Sequence, residues 1–224
     1  MAYGDMVIFS GEPPSEPPYS GAENKTYTAD RGRFMIFNQL GSPSQALIRR
    51  SAFREVGGFD PSIWGTDDWD LWLRLLERYP ARAAHRPVVA YRLHGENASR
   101  NVARMYESSL RVARSHIGRL PAERRAVQRR FTYENLRRYH APLLARIARS
   151  AIGQGEWRRA ATAARAWASS WANDAGGRVA LKAHLARRGR RTLPADEPLL
   201  LSSPADESLL LESQGVPRRR ADAS

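Results

Sequence analysis

The chain has 224 residues, 42% of them hydrophobic, which suffices for one medium domain or one and a half small ones. It contains no cysteine, which excludes disulfides, thiolate metal sites and a cysteine nucleophile. The net charge is +13, and almost all of the positive charge is carried by arginine. Such a charge favours either a solvated basic helical surface or an anion-binding face. No segment approaches the roughly 18 apolar residues of a membrane span, and no signal peptide is recognisable. The sequence therefore predicts a cytoplasmic protein, with peripheral contact to the inner face of the membrane left open.

The N-terminal part alternates short strand and helix patterns. Before residue 57 we predict, in chain order, a strand at 2–9, a helix at 33–40, a strand at 45–49 and a helix at 52–56. A proline-rich loop separates the first two elements. Ser51 is the expected N-cap of the helix at 52–56, and Gly57 is expected to end that helix in the left-handed conformation.

The next helix carries three acids close to its start. Thr66 is a plausible N-cap, and Asp67 and Asp68 fall in the first turn, where the helix dipole favours negative charge. Asp70 and Arg74 are spaced to pair across one turn, on what we expect to be a more solvated face. The opposite face predicts a buried apolar stripe, formed by Trp69, Trp72, Leu73 and Leu76.

The rest of the chain is mainly helical. It predicts a strand at 87–93 and helices at 99–118, 121–152, 157–171 and 178–188. Ser99 is the expected N-cap of the first of these helices, and Pro142 is expected to interrupt or kink the second. From residue 192 a duplicated ADE-x-LLL segment with Ser and Pro spacers predicts a disordered tail.

Several motifs taken together resemble family 2 glycosyltransferases. Residues 49–60 read RRSAFREVGGFD, residues 67–74 read DDWDLWLR, and residues 91–101 read YRLHGENASRN. Tyr3-Gly-Asp5 is similar to the strand that follows the family's nucleotide-binding part. Each motif alone is weak, but together they resemble the acceptor-side half of such an enzyme. The resemblance implies an α/β, Rossmann-like GT-A fold and inverting transfer of a sugar from a nucleotide-sugar to an acceptor hydroxyl, as in bacterial cell-surface polysaccharide biosynthesis.

The resemblance also implies roles for the three acids. Asp68 matches the family's catalytic base, which takes the proton from the attacking acceptor hydroxyl. Asp67 stands where the family usually has glutamate, and Asp70 would be a supporting acid that acts through Arg74. The alternative is that Asp67 and Asp68 are capping acids only.

Three further residues are candidate substrate contacts. Trp64 is placed to stack on an acceptor sugar, although it is equally typical of a packed turn residue. By the resemblance, Arg92 and His94 would face the departing diphosphate, with His94 also a candidate metal ligand. The alternatives are a structural arginine and a surface histidine.

The donor-binding half of the family's fold is not recognisable in this sequence. That half normally ends in an Asp-x-Asp motif that binds a divalent cation, so Mn²⁺ or Mg²⁺ is expected for a complete enzyme. We therefore predict a partial GT-A domain at 1–98, an α-helical extension at 99–191 and a disordered tail at 192–224. The chain alone is expected to be inactive, and a partner chain would have to supply the donor-binding half.

Two other functions compete with glycosyl transfer. One is a non-catalytic interaction protein that retains part of this fold and binds a partner or an anionic surface through its basic helices. The other is nucleic-acid binding, which we consider unlikely because no helix-turn-helix, zinc or RNA-binding motif is present.

Overall fold

A computed structural model describes residues 1–9, 12, 26–92 and 98–173. By packing, the chain divides into two compact units, Met1–His94 with Ser108–Thr132, and Gly95–Glu107 with Tyr133–Ser224. The domain boundary at residue 98 stays a prediction. The helix at 178–188, the tail from residue 192 and the candidate ligand His94 lie outside the described residues.

The described chain is mixed α/β. The strands are β1 (Ala2–Phe9), β2 (Thr26–Thr28), β3 (Ala46–Leu47) and β4 (Arg82–Arg92). The helices are α1 (Arg31–Ile36), α2 (Arg50–Glu55), α3 (Asp67–Arg78), α4 (Val102–Gly118), α5 (Ala122–Gly153) and α6 (Trp157–Ala172). A small sheet plus helices is compatible with part of a GT-A-like fold.

One four-stranded sheet, in the order β2-β4-β1-β3, forms the base of the first unit. The two central strands, β1 and β4, run parallel, and the short edge strands are antiparallel to them. The register between β1 and β4 shifts beside Asp5, which is the position that faces Pro87. Because proline has no N–H to donate to a ladder, it is tolerated in a strand where the register is irregular.

The second unit is built from helices. Its buried residues include Tyr106 on α4, Leu143 and Leu144 on α5, and Ala163 on α6. His140 is buried beside Tyr106, and burial lowers the pKa of its imidazole to about 4, so this histidine stays neutral in the core. Helix α5 continues through Pro142, so the helix is not interrupted there, and a kink at this position stays a prediction.

Two predicted helix caps are also wrong. Helix α2 begins one residue before Ser51, because the Phe53 N–H already bonds to the Arg49 carbonyl. Ser99 lies in a short 3₁₀ turn, Ala98–Arg100, ahead of α4. Asn101 takes the capping role instead, since its side-chain oxygen accepts the Arg104 N–H at 3.1 Å. Among the described helices, none is both long and apolar enough to cross a bilayer.

Candidate active site

Helix α3 is buried around nearly its whole circumference in the first unit. The predicted stripe residues Trp69, Trp72 and Leu73 are buried, whereas Leu76 is only half-buried. The Trp69 indole N–H donates to the Phe34 carbonyl at 2.6 Å, which fixes the first turn of α3 against α1. Because tight packing surrounds this turn, the acids at its start are held in defined positions.

Thr66 directly precedes α3, as predicted, but its side chain does not cap the helix. Its hydroxyl instead lies 2.7 Å from the Ser108 hydroxyl on α4, and both groups are buried. This bond ties the entry of α3 to α4 within the first unit. The N–H groups of the first turn of α3 are therefore left to other acceptors, among them the neighbouring carboxylates.

Asp68 is buried, with 8% of its surface exposed. Its carboxylate accepts the Trp69 N–H at 2.6 Å and the Asn38 side-chain N–H at 3.4 Å. Burial, together with the adjacent charge of Asp67, raises the Asp68 pKa from 3.8 to about 6, although both hydrogen bonds oppose the rise. Asp68 is therefore a carboxylate that changes protonation state close to neutral pH.

Asp70 lies in the opposite electrostatic situation. Its Oδ2 accepts from Nε of Arg74 at 2.7 Å and lies at the same distance from Nη2 in an ion pair, and its Oδ1 lies 2.8 Å from Nε2 of His116. Burial alone would raise the Asp70 pKa, but the hydrogen bonds from His116 and Arg74 outweigh it and lower the pKa below 3.8. The predicted pairing with Arg74 is confirmed. The predicted solvated face is wrong, because fully buried His116 packs against the carboxylate.

Arg74 also fastens the glycine turn that precedes α3. Its guanidinium donates to the carbonyl of Val56 and, at 2.7 Å, to that of Gly58. Gly57 and Gly58 have φ values of 87° and 67°, so both adopt the left-handed conformation. The glycine turn is therefore connected through Arg74 to Asp70, and the three form one polar network on α3 and the turn before it.

Gly58→Ala is expected to destabilise the protein more than Gly57→Ala. Either change places a side chain at positive φ, which costs about 1–2 kcal/mol. A Cβ at Gly58 would lie 3.2 Å from the Phe53 ring, whereas one at Gly57 would meet no atom within 4 Å. Urea denaturation of the two variants measures the difference, and equal midpoints would contradict the role assigned to the Phe53 contact.

The other predicted site residues lie on different segments. Trp64 is half-buried in the turn before α3. Arg92 is exposed at the end of β4, with its guanidinium 5.5 Å from the centre of the Phe9 ring. The structure thus groups Asp67, Asp68 and Asp70 within one helical turn, while Trp64 and Arg92 come from a loop and a strand end.

Two polar residues that contact the acids were not predicted from the sequence. Asn38 donates to Asp68, and His116 contacts Asp70. Asn38 lies inside the predicted helix at 33–40, where a single polar residue is ordinary. His116 falls on the apolar face of α4, where a lone histidine is more often a core residue than a functional one. Neither position carries a local signal of its role.

The described residues do not form a divalent-cation site. Among them, no group of three or more His, Asp or Glu side chains is arranged to hold a metal ion. The Asp67–Asp68 pair offers hard oxygen donors, but Mg²⁺ and Mn²⁺ usually require more protein or substrate ligands than two carboxylates provide.

A small sheet with parallel central strands, and between these strands in the chain a helix that opens with clustered carboxylates, define an α/β protein whose candidate site is that group of acids. The model of the glycosyltransferase-like family 2 matches residues 24–138. This stretch is more than half of the 224 residues, and the chain belongs to that family. The resemblance of the motifs is thereby confirmed. No curated protein and no solved structure matches the chain.

The matched stretch runs from before α1 into the first part of α5. It therefore includes α4, which supplies both Ser108 and His116 to the surroundings of α3. Family membership supports glycosyl transfer in general, with a nucleotide-sugar donor and an acceptor as substrates.

Proposed function

We propose that this chain carries the acceptor-side site of an inverting, nucleotide-sugar-dependent glycosyltransferase, with Asp68 as the general base. The observation that carries the proposal is the contrast between Asp68 and Asp70, two positions apart on α3. Asp70 is held by an arginine and a histidine, whereas the described partners of Asp68 are two neutral N–H groups.

The surroundings of Asp68 favour catalysis over a purely structural role. A carboxylate that only caps a helix is stabilised in its charged form and has a lowered pKa. Asp68 instead has a raised pKa near 6, because it is buried beside a second acid. A general base works best when its pKa lies close to the working pH. Keeping an ionised Asp68 here costs folding free energy, which is typical of a functional position.

In the proposed reaction, the Asp68 carboxylate accepts the proton of the acceptor hydroxyl while that oxygen attacks the anomeric carbon. The new bond forms as the bond to the diphosphate oxygen breaks, and the diphosphate leaves with the electron pair. One displacement inverts the configuration at the anomeric carbon. Half-buried Asp67 adds negative charge beside the base, and Asp70 acts as a positioning residue through Arg74 and the glycine turn.

Substrate binding is proposed to involve residues outside α3. Arg92 and His94 are proposed to stabilise the departing diphosphate, since that group gains charge as the bond breaks. Trp64 is proposed to stack on the acceptor sugar. The donor nucleotide, with the Mn²⁺ or Mg²⁺ expected for it, requires ligands beyond the described residues, on this polypeptide or on a partner chain.

The test replaces Asp68 with asparagine in the gene of the source organism and compares total glycoconjugates by mass spectrometry. The matched control is Glu123→Gln, because Glu123 is an exposed acid in the first turn of α5. We expect one glycan class to disappear in Asp68→Asn cells and to persist in the control. An unchanged glycan profile, with the variant protein at its normal level, would contradict the proposal.

Asn38→Ala is expected to raise the Asp68 pKa further above 6. The Asn38 N–H stabilises the charged carboxylate and so lowers its pKa, and its removal favours the protonated form. Titration of the Asp68 carboxyl carbon by ¹³C NMR measures the midpoint without an activity assay. Gln39→Ala is the control, since Gln39 contacts the Tyr3 hydroxyl instead. A midpoint that falls in Asn38→Ala would rule out this hydrogen bond.

A further inference from the structure

The second unit contains a cavity of about 530 Å³. This volume lies within the roughly 300–1,000 Å³ typical of small-molecule sites. Its floor is apolar and buried, formed by Val102, Ala103, Leu144, Ile147 and Ala163. Its polar lining residues are Arg100, Asn101, Arg158, Arg159 and Thr162.

The rim of this cavity is strongly positive. Among the described residues, three arginines line it and no acid does. Arg159 is partly neutralised by Glu156, with the two charged groups 2.8 Å apart. Helix α4 starts at the same cavity, so the N–H groups of Val102 and Ala103, which have no acceptor within the helix, add partial positive charge.

A solvated basic surface carries arginines without an apolar cavity beneath them, whereas here arginines and buried apolar side chains line the same cavity. Arginine guanidinium groups match the geometry of phosphate oxygens and bind them through paired N–H donors. The floor offers buried aliphatic side chains at the same opening, and apolar groups gain affinity by contact with such surfaces. A ligand that satisfies both parts is anionic at one end and aliphatic at the other.

We propose that this cavity binds an aliphatic phosphate ester, with its phosphate against the arginines that line the opening and its hydrocarbon part on the apolar floor. The site is independent of the glycosyl-transfer proposal. Arg158, Leu144 and Ala163 lie beyond residue 138, where the family match ends, so membership of that family does not account for the cavity.

Isothermal titration of the full chain with hexyl phosphate tests the proposal. Inorganic phosphate and a nucleoside monophosphate serve as comparison ligands that share the phosphate but lack the aliphatic chain. We expect hexyl phosphate to bind at least tenfold more tightly than either, and its binding to weaken between 0.1 and 0.5 M salt. Equal or tighter binding of the nucleotide or of inorganic phosphate would overturn the assignment of an aliphatic ligand.

Three variants distinguish binding inside the cavity from binding to positive charge elsewhere on the surface. Arg158→Ala/Arg159→Ala is expected to weaken hexyl phosphate binding at least tenfold. Arg129→Ala/Arg130→Ala removes a matched pair of exposed arginines from α5 and is expected to leave the affinity unchanged. Thr162→Phe alters no charge but places an aromatic ring at the exposed opening, and is expected to block binding.

The variants also give results that would overturn the proposal. Equal losses in the two arginine pairs would mean that the phosphate binds by surface charge alone. Full binding by Thr162→Phe would mean that the ligand does not enter the cavity. Thermal unfolding of each variant checks that it folds, and exposed positions were chosen so that the second unit keeps its core.

Discussion

Asp68→Asn is expected to make the protein more stable at pH 7.5 while it removes transfer activity. The folded environment raises the Asp68 pKa from 3.8 to about 6, mainly by burial. A difference of about two pKa units corresponds to about 3 kcal/mol that the ionised carboxylate costs the folded state. Asparagine keeps the shape and an accepting oxygen for the Trp69 and Asn38 N–H groups but carries no charge, so we expect a gain of about 2–3 kcal/mol.

The gain should depend on pH in a defined direction. The folded protein binds the Asp68 proton below about pH 6, whereas the unfolded chain binds it only below about pH 3.8. Wild-type stability from this group therefore rises as the pH falls from 6 to 3.8, and the advantage of Asp68→Asn shrinks towards zero near pH 4. Urea denaturation of both proteins at pH 7.5, 6 and 4 measures this difference directly, because other titrating groups are common to the two.

Activity should change in the opposite direction to stability. Loss of a positioned general base typically lowers kcat by about 10²–10⁴-fold. Once the donor and the donor-binding half are supplied, the rate with the wild-type chain should also fall as the pH drops below about 6, since only the ionised carboxylate accepts a proton. A variant that is less stable than wild type at pH 7.5 would instead identify Asp68 as a capping acid.

Local spacing in the sequence was enough to predict the core of this site. The positions of Thr66, Asp67 and Asp68 at the start of α3 follow from helix-start signals, and the Asp70–Arg74 pair follows from the i, i+4 rule. All of these are relations within one helix. They depend on the geometry of a single element, which the sequence specifies directly.

The residues that give Asp68 and Asp70 opposite pKa shifts could not be predicted in the same way. Asn38 is 30 residues from Asp68, and His116 is 46 residues from Asp70. Such contacts depend on how α1, α3 and α4 pack, and one sequence shows no signal for that. The predicted side-chain cap by Thr66 is absent for the same reason: its hydroxyl forms a hydrogen bond with the buried Ser108 hydroxyl on α4 instead. Acids with the same local pattern thus acquire opposite electrostatic environments through tertiary contacts.

Asp70→Ala is expected to destabilise the first unit far more than loss of an exposed ion pair does. It leaves the Arg74 guanidinium without its carboxylate and the fully buried His116 ring without its Nε2 partner. Removal of one member of a buried, hydrogen-bonded ion pair typically costs about 3–5 kcal/mol, because the remaining charge is uncompensated. The matched control, Glu55→Ala, breaks an exposed pair with Arg78 at 3.4 Å and an exposed hydrogen bond from the Tyr79 hydroxyl, and it should cost less than about 1 kcal/mol.

The pH and salt dependence of this loss distinguish the buried network from a surface ion pair. The Asp70 pKa is lowered by its hydrogen bonds to His116 and Arg74, so its stabilising contribution is present above pH 3.8 and is lost as the pH falls through the folded pKa. The difference between wild type and Asp70→Ala should therefore persist from pH 5 to 8, above the folded pKa of Asp70, and be nearly the same in 0.1 and 1 M salt. A loss of under about 1 kcal/mol that disappears in high salt would place Asp70 among ordinary surface pairs. It would also remove the basis for its positioning role, since an Asp70 that does not hold Arg74 cannot fix the glycine turn.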